Sequence, residues 1–159
     1  MKTLATTRGA CVTRPNNPPL CFPDVTIKQG DHILLTGASG CGKTTLLRLL
    51  VGLVAPDVGS VKILTEHVAY VFQEPRLIPG LSTADNLRIT TGANPTTIED
   101  LMQRLGLSAV KDRLAHDLSG GEATRVNLLR ALLIPSDLIL VDEGGSGLDT
   151  GSQSKAQEV

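Results

Sequence analysis

One eight-residue run has the types and spacing for phosphate chemistry: Gly37-Ala38-Ser39-Gly40-Cys41-Gly42-Lys43-Thr44. It fits the pattern G-x-x-x-x-G-K-[ST] and lies between a predicted strand and a predicted helix. Glycines let a backbone wrap closely around phosphate with successive N–H groups turned inward. A helix starting near Lys43 adds the positive end of its dipole. Lys43 supplies a point charge for β and γ phosphates, and the Thr44 hydroxyl can meet Mg²⁺. The expected nucleotide-phosphate site comprises Gly37, Ser39, Gly40, Cys41, Gly42, Lys43, Thr44 and Thr45.

Two further runs could serve the same chemistry. Leu138-Ile139-Leu140-Val141 is a continuous apolar stretch, the pattern of a strand buried on both faces. It ends in Asp142 and Glu143. Ligands of open parallel sheets bind beyond the carboxyl ends of the strands. An acid there can hold Mg²⁺ through water, and the next can polarise an attacking water. In Leu118-Ser119-Gly120-Gly121-Glu122, Ser119 and Glu122 have capping-box spacing, and Gly120 and Gly121 permit close approach of an anion to a helix N-terminus.

These residues need elements to hold them. The first twenty residues are poorly patterned, with a loop expected at 14–19. Strands are expected at 25–27 and 32–35, around the turn Gln29-Gly30-Asp31. Residues 44–54 are apolar on nearly every side, a buried helix. Short strands follow at 61–64 and 68–72. The stretch 74–117 changes character: Pro75, Pro79, Gly80, Gly92 and Pro95 break it, and one short helix is expected near 82–87. Thr96 and Glu99 suggest a capping box, with Ile98, Leu101, Met102 and Leu105 at helical spacing and Gly106 as the stop. Leu107, Val110 and Leu114 mark another short helix. A long helix runs from Ser119 to about Ile134, ended by Pro135. The expected organisation is a core at 1–73, a helical subdomain at 74–117, and a return to the core at 118–159.

Composition removes several classes. The 159 residues are 41% hydrophobic and 19% charged, which fits one globular α/β domain and excludes a disordered tail. Fifteen Lys+Arg against sixteen Asp+Glu leave a net charge of −1, which argues against nucleic acid as a partner. The longest apolar stretch, 46–55, is too short to span a bilayer, and no apolar run near Met1 suggests a secretory signal. The spacings of Cys11, Cys21 and Cys41 suggest neither a disulfide framework nor a metal site, so a reducing cytoplasm is the simplest expected setting.

In this order the motifs resemble the nucleotide-binding domain of the ATP-binding cassette (ABC) family. Residues 37–44 resemble its Walker A loop. Gln73, after the 68–72 strand, resembles the Q-loop glutamine. Leu118 to Glu122 resemble the LSGGQ-type signature, with Arg125 and Arg130-Ala131-Leu132 in family positions. Leu138 to Asp142 and Glu143 resemble the Walker B strand and catalytic glutamate, and Asp149 the D-loop aspartate. The resemblance implies a P-loop NTPase core with a parallel sheet, N-terminal antiparallel strands and an inserted helical subdomain. It implies an ATPase that uses ATP and Mg²⁺, with Lys43, Gln73 and Glu143 catalytic and Thr44, Gln73 and Asp142 toward the metal. Ser119, Gly120 and Gly121 would complete the γ-phosphate site of a second nucleotide-binding domain, head to tail. A transmembrane permease subunit would hold the protein at the inner face of the cell membrane. Residues 72–77 also resemble the Q-loop of nitrate, sulfonate and taurine importers.

The chain departs from the family in places. No histidine follows His116, so the switch histidine and the strand that carries it are missing. Gly144-Gly145 replaces the usual proline after the glutamate, and residues 12–17 hold no aromatic for adenine. These departures suggest C-terminal truncation, poor turnover and a poorly stable monomer. The alternatives are a non-catalytic nucleotide-binding module and a soluble ABC ATPase.

Overall fold

The computed structural model describes residues 1–142. The expectations for Glu143, Gly144-Gly145 and Asp149 lie outside the described residues. The elements are β1 (Thr3–Arg14), β2 (Asn17–Cys21), β3 (Val25–Lys28), α1 (Lys43–Leu50), β4 (Val58–Ile63), β5 (Val68–Val71), α2 (Thr83–Thr91), α3 (Pro95–Arg104), two 3₁₀ turns (Ser108–Val110 and Ala115–Asp117), α4 (Gly120–Leu133) and β6 (Leu138–Val141). They divide into two compact units. The first holds Met1–Val68 and Ser136–Asp142, the second Ala69–Pro135.

The first unit is built on β1. Ala5 faces Ile27 on one side and Ile63 on the other, and Cys11 likewise faces Cys21 and Val58. The 12-residue strand is therefore the centre of an antiparallel sheet, with β2 and β3 along one edge and β4 along the other. Leu4, Ala5, Ala10 and Ile27 are buried, as are Leu46, Leu47, Leu49 and Leu50 of α1. Thr7 is buried with both hydrogen-bonding roles filled: its hydroxyl donates to the Pro23 carbonyl at 2.9 Å and accepts the Val25 N–H at 2.9 Å.

The expectation of an unpatterned N-terminus and a loop at 14–19 is thus corrected. Threonine and alanine fill three of β1's four buried positions, Ala5, Thr7 and Ala10 beside Leu4, which mutes the pattern that marks a strand, although threonine favours sheets. The turn is confined to Pro15 and Asn16, and Pro18 and Pro19 fit β2 because it is an edge strand that needs fewer donors. The same hairpin brings Cys11 opposite Cys21, and a disulfide joins them, which overturns the expectation of unpaired cysteines and removes the cysteines as a ground for a reducing setting. Their spacing carried no signal while the hairpin between them went unseen. Cys41 is free and exposed.

Three further expectations change. Residues 32–35 form no strand, because among the described residues no ladder flanks them. Ile33 and Leu34 are 52% and 85% exposed, and with Asp31, His32 and Ile139 they line an open groove. β6 is buried on one face only: Leu138 and Leu140 are inside, while Ile139 and Val141 are out. α1 stops at Leu50 rather than continuing to 54, and Gly52 follows with φ +73°.

The second unit is helical around Leu87, Ile98, Met102, Leu105, Leu107, Val110, Val126 and Leu129. Ser82 caps α2 by accepting the Asp85 N–H. α3 starts two residues before the expected Thr96. Asn94 is its cap and Pro95 its first residue, whose fixed φ and missing N–H suit that place. Gly106 stops it with φ +67°. The short helix expected from Leu107 to Leu114 is instead a single 3₁₀ turn, Ser108–Val110, and a second, Ala115–Asp117, follows it. α4 runs as expected, capped by Ser119 and ended at Ile134 before Pro135.

Register in the first unit depends on one glycine. The β1–β4 ladder slips between Arg8 and Cys11, where Gly59 (φ +77°) backs onto Gly9 so closely that a Cβ would collide with the Gly9 and Arg8 carbonyls. Gly59→Ala is expected to destabilise the fold by about 2 kcal/mol or more, from left-handed strain plus the collision. Gly80→Ala, with open space around it, should change little. Urea midpoints of the two variants check this.

Candidate nucleotide-phosphate site

Residues 37–44 form a loop that ends in α1. Gly42 is the helix's N-cap with φ +104°, a conformation glycine adopts without strain. No side chain caps α1, and its first turn holds no acidic residue. α2, α3 and α4 are each capped by a side chain, from Ser82, Asn94 and Ser119. The first N–H groups of an α-helix have no partner within it. At α1 they are left to water or to an anion, and the dipole favours the anion.

The Lys43 ammonium lies within this loop. It donates to the Gly37 carbonyl at 2.9 Å and to the Ala38 carbonyl at 3.1 Å. One turn of side chain away, the Thr44 hydroxyl donates to Asp142 Oδ1 at 2.7 Å. Asp142 is 2% exposed, at the end of β6, so the structure joins two residues 98 apart in sequence. A hydroxyl and a carboxylate side by side are hard oxygen donors of the kind Mg²⁺ takes. Among the described residues no cluster of three or more His, Cys, Asp or Glu could hold a metal by itself. The pair therefore suits an ion that completes its shell with water and phosphate oxygens. Ser39, Gly40 and Cys41 are exposed in the loop, and Thr45 follows Thr44 on α1.

Leu20 escaped the sequence reading. A Cβ on Gly42 would stand 2.5 Å from Leu20 Cδ2, so this side chain rests on the glycine that starts α1. Leu20 is held between its β1 partner Val12 and the neighbouring Cys21 disulfide. The two cysteines either side of the Pro-Asn-Asn turn were the one available hint.

Gln73 and the 118–122 run belong to the second unit. Gln73 is exposed in the loop after β5. Ser119 and Gly120 are exposed at the start of α4. The expected capping box is present: Ser119 Oγ accepts the Glu122 N–H at 3.3 Å, and the Glu122 carboxylate accepts the Ser119 N–H at 2.8 Å. Arg113 Nη1 lies 3.2 Å from both carboxylate oxygens. The Ser119 backbone N–H, then its hydroxyl, and then Arg113 hold the Glu122 carboxyl below its ordinary value of 4.5.

A family model described as ABC transporter matches residues 23–145, most of the chain. The chain belongs to the ABC transporter family. It is 38% identical over 138 residues to the aliphatic sulfonates import ATP-binding protein SsuB 1 of Pseudomonas savastanoi pv. phaseolicola, covering 86% of this chain and 58% of that protein. It is 35% identical over 150 residues to the sulfate/thiosulfate import ATP-binding protein CysA 2 of Chromobacterium violaceum, covering 84% of this chain and 41% of that one. The chain thus spans about half the length of these relatives. Among solved structures, a candidate ABC transporter ATP-binding protein from Pyrococcus furiosus superposes with TM-score 0.84 at 22% identity, over 97% of this chain and 82% of that one. That likeness shows the shared α/β fold, with the antiparallel N-terminal sheet expected from the sequence. No helix among the described residues is long and apolar enough to cross a membrane.

The Glu122 carboxyl predicts a pH dependence. Its folded-state pKa is depressed, so the stability it contributes is present above 4.5 and lost as pH falls through the lower folded value. Parent and Glu122→Gln urea midpoints are expected to differ most near neutral pH and to converge as pH falls through the depressed folded value.

Proposed function

We propose that the chain is the ATP-binding and ATP-hydrolysing part of an ABC importer subunit. The observation that carries this is the uncapped N-terminus of α1, with Lys43 in its loop and the Thr44–Asp142 pair beside it. The import names of the relatives support the direction of transport.

Each residue then has a task. The α1 N–H groups and the loop backbone receive the phosphates of ATP. Lys43 exchanges its bonds to the Gly37 and Ala38 carbonyls for phosphate oxygens, so the loop is held ready by the cation that later leaves it. Thr44 and Asp142 would hold Mg²⁺, which when bound neutralises phosphate charge. Gln73 is the metal sensor and the contact to the permease. Glu143 is the general base that takes a proton from the attacking water. Ser119, Gly120 and Gly121 serve the γ-phosphate bound by a second nucleotide-binding domain, in a head-to-tail dimer. A transmembrane permease subunit holds the pair at the inner face of the cell membrane.

A second reading, a module that holds nucleotide without turnover, is favoured by the open groove at 31–34, where the chain leading into the phosphate loop has no strand beside it among the described residues. Tight Mg-ATP binding with no phosphate release would select it.

Lys43→Ala is expected to remove most of the ATP affinity, since it deletes the cation of the loop. Equal affinities of parent and variant by titration calorimetry would refute the site. Glu143→Gln is expected to spare binding and lower turnover about 10²–10⁴-fold, the usual worth of a general base. Single-turnover phosphate release measures it, and an unchanged rate assigns the base elsewhere.

A further inference from the structure

The loop that carries Gln73 is fastened to α4 by a set of polar contacts that the proposed function does not use. Asn127 Nδ2 donates to the Phe72 carbonyl at 2.7 Å. Arg130 Nη2 donates to the Pro75 carbonyl at 2.9 Å, and Nη1 to the Arg76 carbonyl at 3.2 Å. Arg130 Nη2 also donates to Asn127 Oδ1 at 2.7 Å, so the two side chains form one unit. Asn127 is 2% exposed. Three carbonyls of the five-residue loop, before and after Gln73, are thereby fixed on neighbouring turns of one helix.

The loop is closed from its own side as well. Arg76 adopts a left-handed backbone, φ +49°, which is costly for a residue with a side chain. Its guanidinium lies 4.3 Å from the centre of the Phe72 ring, over the face. The left-handed residue is the one whose carbonyl meets Arg130, so the contact rewards the strained conformation.

We infer that Arg130 and Asn127 are positioning residues that clamp the Gln73 loop to the signature helix, so that Gln73 and Ser119 are carried by one rigid element. Asn127 lies eight residues along from Ser119, about 12 Å at the helical rise. A helix transmits a shift along its axis without loss, so a displacement at either end reaches the other. A lysine cannot replace this guanidinium, because a point ammonium does not span two carbonyls as a planar fork does. This inference rests on the proposed function only for what Gln73 and Ser119 do; the clamp itself stands on the contacts.

Trypsin supplies a direct test, because the Arg76 carbonyl held by Arg130 belongs to the scissile Arg76–Leu77 bond. In Arg130→Ala, cleavage after Arg76 is expected to be at least tenfold faster, with cleavage after Arg88 and Arg104 unchanged and the melting transition retained. Arg130→Lys should fall between. Mg-ATP hydrolysis by Arg130→Ala is expected to show kcat about tenfold lower with KM within twofold. Equal cleavage after Arg76 in parent and variant, or faster cleavage at all three sites alike, overturns the clamp. A parent-like kcat beside fast cleavage at Arg76 overturns its positioning role. A parent that binds no ATP counts against the phosphate site, and the nucleotide-free cleavage comparison still decides the clamp.

Discussion

The hydrogen bond from Thr44 to Asp142 is the constraint on which the first unit's chemistry depends. One partner is the second residue of α1, and the other is the last described residue after β6. Thr44 belongs to the loop by sequence, but Asp142 could not place an oxygen beside it by local structure alone. Asp142 is buried, and a buried carboxylate without a partner is costly. The bond therefore serves folding and function together: it satisfies the acid, and it holds two hard oxygen donors next to the uncapped helix end. Every other feature of the unit fixes one of its two ends. Leu46, Leu47, Leu49 and Leu50 anchor α1 in the core. The Asp137 and Leu138 N–H groups, donating to the His67 carbonyl, set where β6 begins. Leu138 and Leu140 then bury its inner face, so that Asp142 emerges at the loop.

β1 extends that control to the loop itself. It is the shared neighbour of β2, β3 and β4, so its register sets theirs. The bulge at Gly9 and Gly59 lets the strand bend without losing its partners. Beyond the bulge the strand meets β2, and the Cys11–Cys21 bond locks that end. Leu20, next to the lock, then lies on Gly42. An apolar side chain here covers the start of α1 without capping it, since it offers no acceptor to the free N–H groups.

What the sequence disclosed follows from how local each signal is. The start of α1 after the Gly-rich loop, the Ser119–Glu122 box, the amphipathic run from Ile98 and the proline after α4 all depend on residues within a turn or two, and each of these local features is found where expected. The strand at 32–35 was expected from its apolar run, but a strand also needs a neighbour, and that information is not in the run. β6 shows the same limit. Four consecutive apolar residues fit burial on both faces, and only the surroundings show that Ile139 and Val141 face outward. β1 failed in the opposite sense: its alternation is real, yet threonine and alanine hide it. Asn94 is masked in the sequence because Thr96 and Glu99 match a stronger-looking cap, and Pro95 reads equally well as a breaker or as a first helical residue. The Arg130 and Asn127 contacts reach loop carbonyls some 55 residues earlier in the chain, which no spacing rule detects.

The two helix starts that matter differ in how they treat their free N–H groups. α1 leaves them open and keeps acids away, so an anion completes the helix. α4 fills one of them itself, the Glu122 N–H on Ser119 Oγ, while the Glu122 carboxylate takes the Ser119 N–H and Arg113 balances that carboxylate. α4 thus carries a side-chain cap and an acid in its first turn, whereas the α1 loop has neither and is held by Lys43 on two carbonyls. A phosphate arriving at α1 gains unsatisfied donors and a cation whose present partners are neutral. At α4 it would have to displace or share bonds already made to a carboxylate. Taken helix by helix, the chemistry therefore favours an anion at the start of α1 over one at the start of α4.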